Sequence, residues 1–290
     1  MKTVGRSEIV IASIKSLVLT ATVLAFGGTF GMPVSASGAI PEGTEQTASA
    51  PTDPDSLSPI DPFAANIVRQ SAEFLANLPS VSFSWFVTND EIAETGETIT
   101  TVESGKTTMD RSAGFAEQTE QESGRRDYYY NGNAFTVVFP DEMIFASQPY
   151  SGDYDSLVAS LRERTGAVLP AWIVLSAKLP EKIFEDLNSA AYLGTIMLMG
   201  NEVHHIAMSS TGSDLQLWIS TDESAPVPVM LIGTLTDNPG IPRYHVRFSS
   251  WSFGHDQDTS QFIFSSGPDF ERIAMPSLTV AAEPAQESGK

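Results

Sequence analysis

From Ser213 to Ser220 the chain reads Ser-Asp-Leu-Gln-Leu-Trp-Ile-Ser, so Leu215, Leu217 and Ile219 fall on one side of an extended backbone and Asp214, Gln216 and Trp218 on the other. That period predicts one strand of a large antiparallel sheet. Upstream, Ser189 to Ser210 supplies two more extended runs that turn at Gly200-Asn201. Downstream, Val227 to Leu235, Arg243 to Trp251 and Gln261 to Phe264 supply three, and the C-terminal third reads as a meander.

The rest of the chain is arranged around that sheet. Asp61-Pro62 opens a helix, with an N-cap carboxylate ahead of proline at the first helical position, and Phe63, Ile67, Val68, Ser71, Phe74, Leu75 and Leu78 follow at helical spacing until Pro79 stops it. Val81, Phe83, Trp85 and Val87 then alternate with Ser82, Ser84, Phe86 and Thr88 as a strand. The β-branched alternation within Glu97 to Glu122 predicts two strands turning near Asp110 to Ala113, exposed on one face and guarded from edge pairing by their carboxylates. Arg125 to Tyr130, the turn Asn131-Gly132 and Ala134 to Phe139 form a hairpin, and Met143 to Gln148 continues it. Between Ser151 and Leu187 the pattern turns helical: Asp153 or Asp155 can cap a helix carrying Leu157, Val158 and Leu161 and ending at Gly166, and Leu169-Pro170 and Leu179-Pro180 each restart a short one. This apolar block is expected to lie across one face of the sheet.

The ends differ in composition. Lys2, Arg6 and Lys15 precede an apolar run from Leu17 to Phe26, and Val34-Ser35-Ala36 offers small residues for cleavage, which predicts a signal peptide over 1–36. Gly27, Gly28, Gly31 and Pro33 interrupt the run short of the roughly 20 apolar residues a membrane span requires. Residues 37–59, rich in Ser, Thr, Glu, Ala and Pro, are expected to form a disordered tether, 60–275 the folded domain, and 276–290 a frayed tail. Loss of the leader takes three cations and one anion from 16 Lys+Arg and 36 Asp+Glu, leaving a net charge of −22. Such a surface repels phosphate backbones, so no nucleic-acid partner is expected. With no cysteine, disulfides, thiol catalysis, cysteine zinc sites and a lipidated cysteine are excluded.

No nucleophile elbow, phosphate-binding glycine loop, helical zinc motif or EF-hand loop occurs, so no catalytic residue and no cofactor is assigned. His204 and His205 are adjacent on an expected strand and point to opposite faces, so they cannot chelate one metal together. The His255-Asp256-Gln257-Asp258 cluster reads as a solvated acidic loop. Aromatic residues are spread over nearly every strand; they fit an ordinary core under a sheet equally well as the lining of an apolar cavity beneath a helical lid.

Ile60-Asp61-Pro62, Tyr130-Asn131-Gly132, Tyr192-Leu193-Gly194, His204-His205-Ile206-Ala207, Gln216-Leu217-Trp218-Ile219 and Phe248-Ser249-Ser250-Trp251 carry a resemblance, running from about Leu57 to Met275, to the predicted periplasmic proteins of domain of unknown function 2092 (DUF2092). That group is similar to the carriers of outer-membrane lipoproteins, LolA and LolB. The resemblance implies an α+β fold, an incomplete antiparallel β-barrel with an N-terminal helix and a helical lid, and an apolar ligand such as a lipid or acyl chain. The cysteine that anchors LolB is absent here, and the arginine that LolA carriers place near the cavity mouth has no match. The expected lining comprises Phe83, Trp85, Val137, Phe145, Leu215, Leu217, Ile219, Val246 and Phe248. Two readings follow: a soluble periplasmic carrier of an apolar ligand, or an envelope sensor or scaffold that binds a protein partner through the sheet. A hydrolase would need a nucleophile and base arrangement that the sequence does not offer.

Overall fold

Two prolines bracket the first helix. In the computed structural model, which describes residues 59–278 except 94, 166–168, 170–171, 255–257 and 276, helix α1 spans Pro62–Asn77, with the Asp61 carboxylate accepting from Phe63 N at 2.8 Å. The expected leader, nearly all of the tether and most of the tail lie outside the described residues, as do His255-Asp256-Gln257 and the helix end at Gly166. Ala64, Ile67, Val68, Ala72 and Leu75 are buried along one side of α1, the stripe that makes it a core helix.

Strands β1 (Ser80–Ile92), β2 (Thr98–Asp110), β3 (Gly114–Gln121), β4 (Gly124–Tyr130), β5 (Ala134–Phe139) and β6 (Ile144–Pro149) follow in sequence. Helices α2 (Tyr154–Thr165), α3 (Trp172–Leu175) and α4 (Leu179–Lys182) interrupt them before β7 (Leu187–Leu198), β8 (Asn201–Ser210), β9 (Ser213–Ser220), β10 (Pro228–Leu235), β11 (Arg243–Phe253) and β12 (Glu271–Arg272). All belong to one sheet in the order β12-β6-β5-β4-β3-β2-β1-β11-β10-β9-β8-β7. β1 is the seam between two meanders: it pairs with β2 from Ser80↔Asp110 to Ile92↔Thr98, and with β11 from Val81↔Phe253 to Asn89↔Tyr244. The two end strands, β12 and β7, do not pair with each other, so the sheet remains an open half-barrel.

Two expectations are corrected here. Gln261 to Phe264 is not a strand: Thr259–Phe262 is a 3₁₀ turn, because the Asp258 carboxylate accepts from Ser260 N and starts a helical turn there. The strand in this region is β12, which pairs in parallel with β6 through Glu271↔Ile144 and Arg272↔Phe145. Nor do the carboxylates of β2 and β3 guard an edge, since each of these strands is hydrogen-bonded on both sides. The exposed edge is β7, and the chain entering α1 covers part of it: Asp61 N donates to Ala190 O at 2.8 Å, and Ala190 N donates to Pro59 O at 3.0 Å.

The helices cover one face of the sheet. Leu75 of α1 and its C-cap Leu78, Leu157 and Leu161 of α2, Val174 and Leu175 of α3 and Leu179 of α4 are buried with Phe83, Trp85, Phe115 and Phe248 of the strands. The first half of α1 packs instead on the other wing, where Ala64, Ile67 and Val68 meet Ile206, Leu217 and Ile219. Of the two candidate caps for α2, Asp153 accepts from Ser156 N at 2.7 Å. Asp155 ties the lid to itself, accepting from Ser176 Oγ and Ala177 N and pairing with Lys182 Nζ at 3.7 Å.

Gly105 of β2 leaves no room for a side chain. A Cβ on Gly105 would overlap the Trp85 indole, which lies across β2, and the Gln118 carbonyl of β3. Gly105→Ala should therefore cost about 1 to 3 kcal/mol through the displaced indole. Urea denaturation checks this, and a loss below about 0.5 kcal/mol would contradict the close approach.

Candidate functional site: a lidded cavity with a buried polar wall

Because α1 touches the sheet at its two ends through separate clusters, a gap is left between them. It forms a cavity of about 1350 Å³ bounded by α1, by α3 and α4, and by the inner surface of β1–β4 and β8–β10. Its apolar wall comes from Leu215, Leu217 and Ile219 of β9, Leu231 of β10 and Val68 and Leu75 of α1. Asp90, Glu91, Glu122, Glu185, Asp186 and Asp214 line its more polar parts.

The structure divides the nine expected lining residues by depth. Leu215, Leu217 and Ile219 lie on the cavity wall. Phe83, Trp85, Val246 and Phe248 share the helix-covered face but sit in the packed aromatic core, where Phe83 lies 4.4 Å from Trp251 and 5.9 Å from Phe248 between ring centroids. Val137 packs half-buried against that same core. Phe145 faces the other way, with its ring 5.4 Å from Phe264 of the segment after the 3₁₀ turn. Its parity explains this: Val138 lies opposite Phe145, whereas Val137 lies opposite Ala146 and Tyr128 on the inner face.

Facing the apolar wall is a polar one that the sequence reading missed. Thr119 and Arg126 are directly opposed across β3 and β4, and Glu103 and Gln121 across β2 and β3; all four line the cavity, together with Tyr128 and Tyr244. One residue deeper, the Trp85 indole donates to Thr107 Oγ1 at 2.9 Å, and the Thr107 hydroxyl donates to Glu117 Oε2 at 2.8 Å. Glu117 is 1% exposed, and its Oε1 has no partner among the described residues. Burial pushes its carboxyl up to about 8, against the Thr107 hydrogen bond, which favours the ionised form, and with help from the negative charge of Glu103. Burial also raises Glu103, opposed by the Arg126 guanidinium. Tyr128 and Tyr244 are shifted upward, first by desolvation. The signal was parity: Glu117 and Thr119 share the parity of Phe115, and Arg126 that of Tyr128 and Tyr130, so all fall on the buried face.

His204 and His205 serve packing. His204 Nδ1 lies 3.0 Å from the Tyr192 hydroxyl, whereas His205, on the opposite face, stacks on Trp218 at 4.3 Å and contacts Gln216 at 3.1 Å. Among the described residues no group of three or more His, Asp or Glu side chains could hold a metal ion, and no helix is long and apolar enough to cross a membrane.

The chain is similar to the crystal structure of the Mycobacterium tuberculosis lipoprotein LppX, at 15% identity over 68% of this chain and 100% of that one with a TM-score of 0.44. LprF from Mycobacterium bovis is similar at 12% identity, covering 66% and 94%, with a TM-score of 0.41. A LolA superfamily protein from Nitrosomonas europaea is similar at 11% identity, covering 69% and 97%, with a TM-score of 0.32. No curated protein matches the chain. The family described as predicted periplasmic protein (DUF2092) matches residues 64–275, most of the chain, and the protein belongs to that family.

Proposed function

We propose that the protein is a soluble periplasmic binding or carrier protein, exported by its leader, that shelters a lipid or other long apolar group between the half-barrel and its helical lid. The observation that carries this reading is the cavity of about 1350 Å³ with Leu215, Leu217, Ile219 and Leu231 along one wall. Compact small-molecule pockets usually span roughly 300 to 1000 Å³, so this volume suits an extended chain. No catalytic role is assigned.

Gly233 supplies the test. It lies opposite Leu215 and Tyr244, both on the cavity wall, and a Cβ built there meets only Tyr244 O, at 4.0 Å. Gly233→Phe should therefore project a ring into the cavity with little strain. Delipidated wild-type protein should bind a fluorescent fatty-acid probe, and the variant should bind it at least about tenfold more weakly while remaining folded. Absence of probe binding by the wild type would overturn the proposal.

A second reading, docking of an envelope protein on the sheet, is favoured by one observation. The edge strand β7, covered only in part by the chain entering α1, exposes Leu193 at 53% and Met197 at 68%. Native mass spectrometry of protein taken from its own periplasm separates the two, since a retained lipid favours the carrier and a retained polypeptide the scaffold.

A further inference from the structure

Arg126 is a charge buried against an open space without a counter-ion. It is 5% exposed yet lines the cavity. With its amide oxygen turned toward the guanidinium, Gln121 accepts from Nη1 at 3.1 Å and Nε at 3.0 Å. Nη2 donates to Ser123 Oγ at 3.3 Å, and the Tyr128 hydroxyl is a further hydrogen-bond neighbour. Every one of these partners is neutral. No carboxylate among the described residues lies within ion-pair distance of Arg126, whereas its neighbour Arg125 has Asp127 at 3.5 Å. A desolvated guanidinium without an anion is costly, which makes the site receptive to one.

A second observation lies across the strand pair. The Thr119 hydroxyl, directly opposite Arg126 in register, is buried and makes no hydrogen bond among the described residues. Burial shifts both carboxyls of this wall, Glu103 and Glu117, toward the protonated form, which the Arg126 charge opposes at Glu103.

We infer that Arg126 and Thr119 form the head-group end of the cavity, and that its ligand is an amphiphile with a carboxylate head, the guanidinium and the hydroxyl holding the carboxylate while the chain lies along Leu215, Leu217 and Leu231. This rests on the proposed binding function and adds the chemistry of the ligand's polar end. Arginine suits this role because its planar fork matches a carboxylate while its charge persists at every relevant pH. The other charged groups of the lining, mostly acidic, include Asp90, Glu122 and Asp186. They would by themselves favour a cationic head, so the sign of the head group is the discriminating measurement.

The full, delipidated chain is titrated with a pyrene-labelled fatty acid and with its methyl ester. The wild type should prefer the acid by roughly tenfold or more, the effect of a charge-assisted hydrogen-bonded pair in a desolvated site. Arg126→Met should bring the acid to within about twofold of the ester, and Thr119→Val should weaken acid binding by about threefold. Competition by unlabelled alkyl carboxylate and alkyl ammonium of equal length, read on the wild type, needs no variant; the ammonium should compete roughly tenfold more weakly. Ester binding reports on the cavity itself. If the ester binds and the acid has no advantage, if the advantage survives Arg126→Met, or if the ammonium competes as well as the carboxylate, the head-group assignment is wrong and the cavity reading stands. If neither probe binds, both are wrong.

Discussion

Raising the pH from about 5 to about 8 should destabilise this protein by several kcal/mol, and Glu117→Gln should remove most of that loss. A glutamate titrates at 4.5 in the unfolded reference and at about 8 in the folded protein, a displacement that corresponds to ~5 kcal/mol in full, of which ~4 kcal/mol is expressed by pH 8. The folded pKa is the raised one, so over this interval the native state keeps a proton that the unfolded chain has released. Stability is fully present below 4.5, falls as pH rises, and levels off once the folded carboxyl also ionises near 8. Glu103 is shifted in the same direction. His245 is lowered by desolvation and works in the opposite sense, contributing stability above 6.5 that is lost as pH falls. The variant-minus-wild-type difference in urea stability at the two pH values is therefore the decisive quantity. It should be near zero at the acidic end, because glutamine and protonated glutamate are both neutral, and reach ~4 kcal/mol in favour of the variant at the basic end. An unchanged difference across the interval would mean that Glu117 is ionised in place and solvated.

Local patterns fixed the elements well and their depth poorly. Asp61-Pro62 and Pro79 gave both limits of α1, and the alternation from Ser213 to Ser220 coincides with β9. Asn131-Gly132 joins β4 to β5 as a hairpin must. Alternation assigns a residue to a face of a strand but does not say whether that face meets a helix, a void or the ring across the sheet. Phe83 and Leu217 have the same parity signature; one is locked between Trp251 and Phe248, and the other borders the cavity.

The reason is non-local. The cavity exists because β1 pairs with β11, far along the chain, and α1 rests on both wings at once; no short window of sequence contains that pairing. Phe145 misled for a different reason, since Ile144, Phe145 and Ala146 are consecutive apolar residues with no period to read. Glu117 looked like the polar side of a solvated strand, and nothing local singled out Arg126 within its hairpin. Their parity with Phe115 and Tyr128 marked the buried face, but only the strands on either side remove the water.

The attachment of the lid depends on one side chain at the opposite end of the sheet from the cavity's polar wall. Arg111, in the turn between β2 and β3, donates to the carbonyls of Leu78 at 2.9 Å, Leu75 at 3.0 Å and Leu175 at 3.2 Å. The first two are at the C-terminal end of α1 and the third ends α3, where carbonyls lack the i+4 donor that a continuing helix would provide, although Leu75 O also accepts from Leu78 N at 3.4 Å. A cation at these ends also meets the negative pole of each helix. One guanidinium thus joins the β2–β3 turn, α1 and the lid, and its main-chain N–H adds a bond to Pro79 O at 2.9 Å that any substitution would keep. Arg111→Met retains an apolar stem but loses three hydrogen bonds, and among the described residues Leu75 O alone keeps another donor, Leu78 N at 3.4 Å, so the expected cost is about 2 to 3 kcal/mol, at about 1 kcal/mol for each bond lost. Arg111→Lys should recover only part of it, because one ammonium cannot span three acceptors in different elements. Arg125, whose side chain is 47% exposed, is the control, and Arg125→Met should cost less than ~0.5 kcal/mol. Hydrogen exchange adds the local reading: in Arg111→Met, amides of α3 and α4 should lose protection before those of β1 and β2, since the lid is released while the seam of the sheet is untouched. Uniform loss of protection, or a stability equal to that of the wild type, would show that the lid is held by its apolar contacts alone.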